Sequence, residues 1–96
     1  MTKVTMLSLD VLKPHQPSKI IFATNLAEKI TGSCVVLKLI EMDEKTETLQ
    51  LQITAPTIDI HSIEHEISEM GASLHSIDEV RVEQDDGRSE IMDSDL

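Results

Sequence analysis

Three groups of residues have the types and spacing for chemistry. The run His61-Ser62-Ile63-Glu64-His65 matches the pattern H-x-x-E-H, which puts two imidazoles one helical turn apart beside a carboxylate. A catalytic zinc needs a third protein ligand and a cleft that leaves one coordination position open. Ile60, Ile63 and Ile67 form the apolar side of that helix, so His61 and His65 are expected to face solvent. Surface histidines are therefore the favoured reading, with a metal-dependent hydrolase using His61, Glu64 and His65 as the alternative.

The second group is Glu41, Asp43, Glu44 and Glu47, which crowd one turn. Hard cations take six to eight oxygens, and neighbouring carboxylates on a turn can supply several. The stretch lacks the central glycine and acid spacing of an EF-hand loop, and Lys45 dilutes its charge, so a solvated turn is favoured over a cation site. The third group is Asp10 with Asp78 and Glu79. If their strands are neighbours, Asp10 and Asp78 can approach; two adjacent carboxylates either raise one pKa or recruit a cation. His15 and His75 join such a site only if the register brings them there.

The elements that must position these residues follow from periodicity. Residues 4–12 alternate, with Leu7, Leu9 and Val11 on one face and Met6, Ser8 and Asp10 on the other, as in a strand with one dry face. Pro14 and Pro17 close it, and Pro17 suits a first helical position. Residues 18–31 repeat apolar side chains at three- and four-residue spacing (Ile20, Ala23, Leu26, Ala27, Ile30), with Gly32 as terminator. Residues 34–42 form a strand rich in β-branched and apolar residues, and residues 48–54 form a second, joined by the polar turn DEKTE as an antiparallel hairpin. Asp59 is a fitting N-cap for a second helix, which Gly71 ends. Residues 73–82 give a fourth, less regular strand.

The order is βαββαβ. Right-handed crossovers interleave the two halves into one four-stranded antiparallel sheet, order 4-1-3-2, with both helices on one face. This is the α+β, ferredoxin-like split βαβ arrangement. The expected division is a domain over residues 1–83 and an acidic, flexible tail over 84–96. By parity, the open face carries Met6, Ser8, Asp10, Val36, Lys38, Ile40, Gln50, Gln52 and Thr54. A half-apolar face of this kind, with unpaired sheet edges, suits a contact between subunits.

Composition narrows the function classes. The 96 residues carry a formal net charge of −10, and Phe22 is the sole aromatic. From Glu83 onward, six acids stand against Arg88 alone. An acidic body without a basic cluster repels phosphate backbones, and bases find no aromatic side chains to stack on, so nucleic acid is not an expected partner. No apolar run approaches the ~18 residues of a membrane span. The single cysteine, Cys34, reads as a buried free thiol inside a strand, and cytoplasm is the expected location. A domain this small buries only about 60–70% of its unfolded surface, which favours oligomerisation.

Several activities of this architecture lack their residues. The first loop, KPHQP, has no Cys-x-x-Cys pair for metal transfer and no arginine cradle for acylphosphate chemistry, with only Lys13 and Lys19 nearby. Two prolines replace the flexible glycine turn of amino-acid-sensing versions. No nucleophile–base pair and no phosphate-cradling glycine loop stands out. Enzyme is the less favoured class.

The segments LDVLKPH, LIEMDEKTETLQLQI and LHSIDEV, in this order, resemble an archaeal family, domain-of-unknown-function family 211, over about Val4–Val82. The resemblance implies a ferredoxin-like fold and ring-shaped homo-oligomers, with no established activity. It also implies acids at Asp10, Glu41, Asp43, Asp78 and Glu79 that are candidates for a divalent cation, Ca²⁺ or Mg²⁺, or for a small ligand. The His61–His65 pair and the acidic tail depart from the family pattern. The expectation is a non-enzymatic, ring-forming module whose main partner is itself. A protein-interaction scaffold without a ligand is the alternative.

Overall fold

The structure, a computed structural model, describes residues 1–84. Its elements are β1 (Thr2–Pro14), α1 (Lys19–Lys29), β2 (Cys34–Met42), β3 (Thr46–Thr54), α2 (Ile60–Glu69) and β4 (Ser73–Gln84). The strands form one sheet in the order β2-β3-β1-β4, every neighbouring pair antiparallel. Read from the other edge this is 4-1-3-2, so the ferredoxin-like topology stands. Beyond Gln84, which ends β4, the expected tail lies outside the described residues.

Alternation decides which side chains make the core. Leu7, Leu9 and Val11 of β1 pair with Ile53, Leu51 and Leu49 of β3, and all six are buried. Phe22, Leu26 and Ile30 from α1 and its cap, with Ile63 and Ile67 from α2, pack onto this face. α1 lies toward β2 and α2 toward β4, with the helices touching between them.

The helix ends are set by local chemistry. Ser18 caps α1, its Oγ accepting from the Ile21 N–H, and Asp59 caps α2 by accepting from the His61 N–H. At the other end of α2 the Ala72 N–H donates to Ile67 O and the Gly71 N–H to Ser68 O, closing a Schellman turn. Gly71 holds φ +80° there, a conformation L side chains rarely adopt.

Several expectations are corrected. Pro17 precedes the cap instead of opening the helix, and its peptide bond with Gln16 is cis. Ile20 faces solvent, because starting the helix at Lys19 turns Phe22 and Leu26 inward in its place. Cys34 is exposed rather than buried, since it opens an edge strand. Leu39, which by parity opposes the open-face residues Lys38 and Ile40, is 41% exposed because it sits on that same edge, next to an irregularity in the β2–β3 pairing between Leu39 and Glu41. Met6 and Ser8 lie on the open face yet are buried, since β1 is a central strand whose neighbours shelter them.

Candidate functional site

The alternation that buries leucines on β1 and β3 does not stop at the end of the apolar run. Lys13 follows Leu9 and Val11 in parity, and Glu47 precedes Leu49 and Leu51, so both charged side chains turn toward the helix side. The register makes them direct cross-strand partners. Lys13 is 0% exposed and Glu47 5%. Burying a charge is costly unless it is paired and hydrogen-bonded, and both conditions are met.

The ammonium of Lys13 donates to the carbonyl oxygens of Pro14 at 2.7 Å, Pro17 at 2.5 Å and His15 at 3.4 Å. It also lies 3.2 Å from Glu47 Oε1. An ammonium has three donors. Three carbonyls take them, so Oε1 receives countercharge without an aligned hydrogen bond, and it is the one buried side-chain polar atom lacking one among the described residues. The loop from β1 to α1 thus wraps the end of Lys13. Lys19, in the first turn of α1, adds a second cation 3.6 Å from Oε1.

The other oxygen of the carboxylate serves His15, whose Nδ1 lies 3.1 Å from Glu47 Oε2. His15 Nε2 lies 3.1 Å from Asp43 O and 3.0 Å from Glu44 O, on the tip of the β2–β3 hairpin. The bond to Glu47 raises the pKa of His15 most, and the two carbonyls add to it against a smaller opposing effect of burial. Burial pushes the Glu47 carboxyl up, but the bond from His15 and the neighbouring ammonium groups of Lys13 and Lys19 outweigh it and hold the pKa below its usual range. The Asp43 carboxyl is also held low, chiefly by the backbone N–H groups of Lys45 and Thr46, which donate to Oδ1 at 2.8 Å each.

This cluster brings together the loop, the first helix and the hairpin tip. Its ammonium is already spent on backbone carbonyls, so it offers no donor to an incoming molecule. The arrangement is a structural clasp more than a place for proton transfer. The composition of the loop marks Lys13 and Lys19 alone, whereas strand parity carried two residues past Val11 reaches Lys13 and, two before Leu49 on the other strand, Glu47.

The five nominated carboxylates lie apart from the clasp, except for Asp43. Asp10 is half-buried on β1, paired with Gln50 on one side and Ser76 on the other. Asp78 falls at an irregularity in the β1–β4 pairing, so Asp10 faces Ser76 in register in place of Asp78. The Ser76 hydroxyl donates to Asp78 Oδ1 at 2.7 Å. Glu79 pairs with Ser8, and Glu41 is exposed at the end of β2. Asp43 shapes the turn. Among the described residues no three His, Cys, Asp or Glu side chains gather as a metal would require.

The zinc-like motif is a helix surface. His61 is 90% exposed and His65 74%, with Glu64 Oε1 3.9 Å from His61 Nδ1 and Glu69 Oε1 3.5 Å from His65 Nε2. They rim a shallow depression with Lys29, Ser62 and Glu66. His75 is exposed on β4, at the irregularity between the Asp10–Ser76 and Val11–Leu74 pairs.

Fold and clasp together define a small α+β protein of ferredoxin-like topology, stapled at one end by a buried ion pair. No described helix is long and apolar enough to cross a membrane. The chain belongs to domain-of-unknown-function family 211, described as an uncharacterized ArCR family, whose profile matches residues 5–85. It is similar to the uncharacterized protein MJ0319 of Methanocaldococcus jannaschii, an archaeal protein, with 33% identity over 84 residues, covering 83% of this chain and 82% of that one.

Proposed function

We propose that this chain is a non-enzymatic module that assembles with copies of itself into a closed ring. The observation that carries the reading is the apolar surface left on both edge strands. β2 exposes Val36, Leu39, Ile40 and Met42, while β4 exposes Ile77, Val80 and Val82. An edge presents unpaired backbone groups as well as side chains, and a second strand satisfies both. Because the two edges differ, pairing β2 of one copy with β4 of the next is head-to-tail. Such an interface generates a ring wherever the rotation closes. The spent ammonium of Lys13 and the exposure of His61 and His65 favour this reading over a hydrolase.

Light scattering on the full chain and on the doubly charged variant Val36→Lys/Val82→Lys tests it. The wild type is expected to be an oligomer and the variant to fall toward the mass of one chain. A wild type of one-chain mass rejects the reading.

Asp10, Glu41, Asp43, Asp78 and Glu79 enter it as candidate carboxylates for Ca²⁺, Mg²⁺ or a small cationic ligand, with Glu41 on β2 and Asp78 and Glu79 on β4 at the edges that assembly would join. Calorimetry with either ion on wild type and Asp10→Asn decides. Heat in the wild type that is weakened by Asp10→Asn supports the site, and no heat in either protein removes it.

A further inference from the structure

The imidazole of His15 is surrounded by acceptors. Nδ1 faces a carboxylate oxygen of Glu47 on β3, and Nε2 faces two carbonyl oxygens, of Asp43 and Glu44, on the hairpin tip. A neutral imidazole has one N–H and one lone pair, whereas an imidazolium has two N–H groups. Only the imidazolium satisfies both sides, so the contacts seen require the charged ring. Removing one proton must set a lone pair against an acceptor at about hydrogen-bond distance, which is repulsive.

We propose that His15 is a proton-operated latch between the β1–α1 loop and the tip of the β2–β3 hairpin, closed when both ring nitrogens carry protons and released at the tip when one is lost. The side that opens follows from the neighbours. Glu47 shares its carboxylate: Oε1 lies beside the ammonium groups of Lys13 on β1 and Lys19 on α1, leaving Oε2 to His15. A charge-assisted bond to a carboxylate outweighs a bond to neutral carbonyls. The remaining proton therefore stays on Nδ1, and the Nε2 lone pair is left facing Asp43 O and Glu44 O. The β1–β3 pairing ends at Pro14 and Thr46, short of Asp43, Glu44 and Lys45. The Asp43 carboxylate is turned inward to Lys45 N, Thr46 N and Thr46 Oγ1, while Glu44 and Lys45 are exposed. The raised pKa of His15 places the release on the alkaline side of an ordinary histidine.

A hydroxyl or amide could tie two loops together at every pH. A histidine with three acceptors makes the tie conditional, and the part set free includes the turn that ends β2. The latch is independent of whether β2 is an assembly edge, and its test needs no assembly.

Imidazole and backbone ¹H–¹⁵N spectra of the full chain, recorded across neutral to alkaline pH, test the latch. Expected are a His15 midpoint above the ordinary histidine value of 6.5, an Nδ1–H tautomer after deprotonation, and the amides of Glu44, Lys45 and Thr46 shifting with that same midpoint. In His15→Gln the tip amides are expected to lose that midpoint. The proposal is overturned by a His15 titration that the tip amides do not follow, by an Nε2–H tautomer at high pH, or by tip amides that keep the midpoint in His15→Gln. Should that variant fail to fold, the wild-type tautomer and the coincidence of midpoints still decide.

Discussion

Lys13 and Glu47 face each other across β1 and β3 at the end of the sheet, Nζ 3.2 Å from Oε1, with scarcely any solvent access to either side chain. They occupy positions where the strand pattern would otherwise put leucine or valine. The ammonium also gathers three carbonyls of the loop that leads into α1, so the pair fixes the entry of the helix as well as the strand ends. What a larger core would do by packing, this small domain does here with a buried charge and its backbone ligands.

Truncating one partner of a buried pair strands the other. Lys13→Met is expected to lower the unfolding free energy by about 3–5 kcal/mol, because it leaves the Glu47 charge buried and three carbonyls without their donor. Lys13→Met/Glu47→Leu is expected to cost less than the sum of the single changes, since it removes the stranded charge. Urea unfolding at matched protein concentration measures both; strict additivity would contradict a coupled pair.

The clasp also predicts a stability optimum in pH. His15 binds its proton more tightly when folded, so its contribution is complete below the ordinary histidine value of 6.5 and is lost as pH rises through the raised folded value. Glu47 and Asp43 run the other way. Their folded pKa values are depressed, so their contributions are complete above the ordinary carboxylate range and are lost as pH falls through those lowered values. Urea midpoints across pH are expected to fall at both ends, and His15→Gln to abolish the fall on the alkaline side alone.

Core and edge leucines are expected to differ sharply. Leu51, fully buried beneath both helices, should cost about 2–5 kcal/mol as Leu51→Ala. Leu39, on the edge strand, should cost about 1 kcal/mol or less in a single chain as Leu39→Ala. If Leu39→Ala instead weakens the protein more at low concentration than at high, the missing burial is supplied by a neighbouring copy.

Strand alternation and helical spacing made the architecture legible: Leu7, Leu9 and Val11 against Leu49, Leu51 and Ile53 announced the sheet's dry face, and Asp59 and Gly71 the limits of the second helix. The edges were less legible, because Cys34 and Leu39 have the composition of core residues and only strand order reveals that they lie on an edge. Asp10 and Asp78 depend on register, which an irregularity in the β1–β4 pairing alters, and no single strand encodes that. The clasp was missed for a different reason. A lysine next to a proline reads as the start of a loop, and its burial follows only from carrying the alternation past Val11 and matching it with Glu47.

Charging the edges separately should show whether assembly is head-to-tail. Val36→Lys on β2 and Val82→Lys on β4 are each expected to prevent closure when alone, since every interface then carries one altered edge. An equimolar mixture of the two variants contains one pairing, intact β2 with intact β4, that can still form, and discrete dimers are the expected product. Native mass spectrometry distinguishes the dimers from monomers; monomers alone would contradict pairing of unlike edges.

The most direct measurement is the solution mass of the unaltered chain by sedimentation equilibrium at micromolar concentration. One chain weighs 10.7 kDa. The account predicts a single species at an integral multiple of that mass, unchanged by dilution across the micromolar range. A species at 10.7 kDa, with both apolar edges left to solvent, would contradict it.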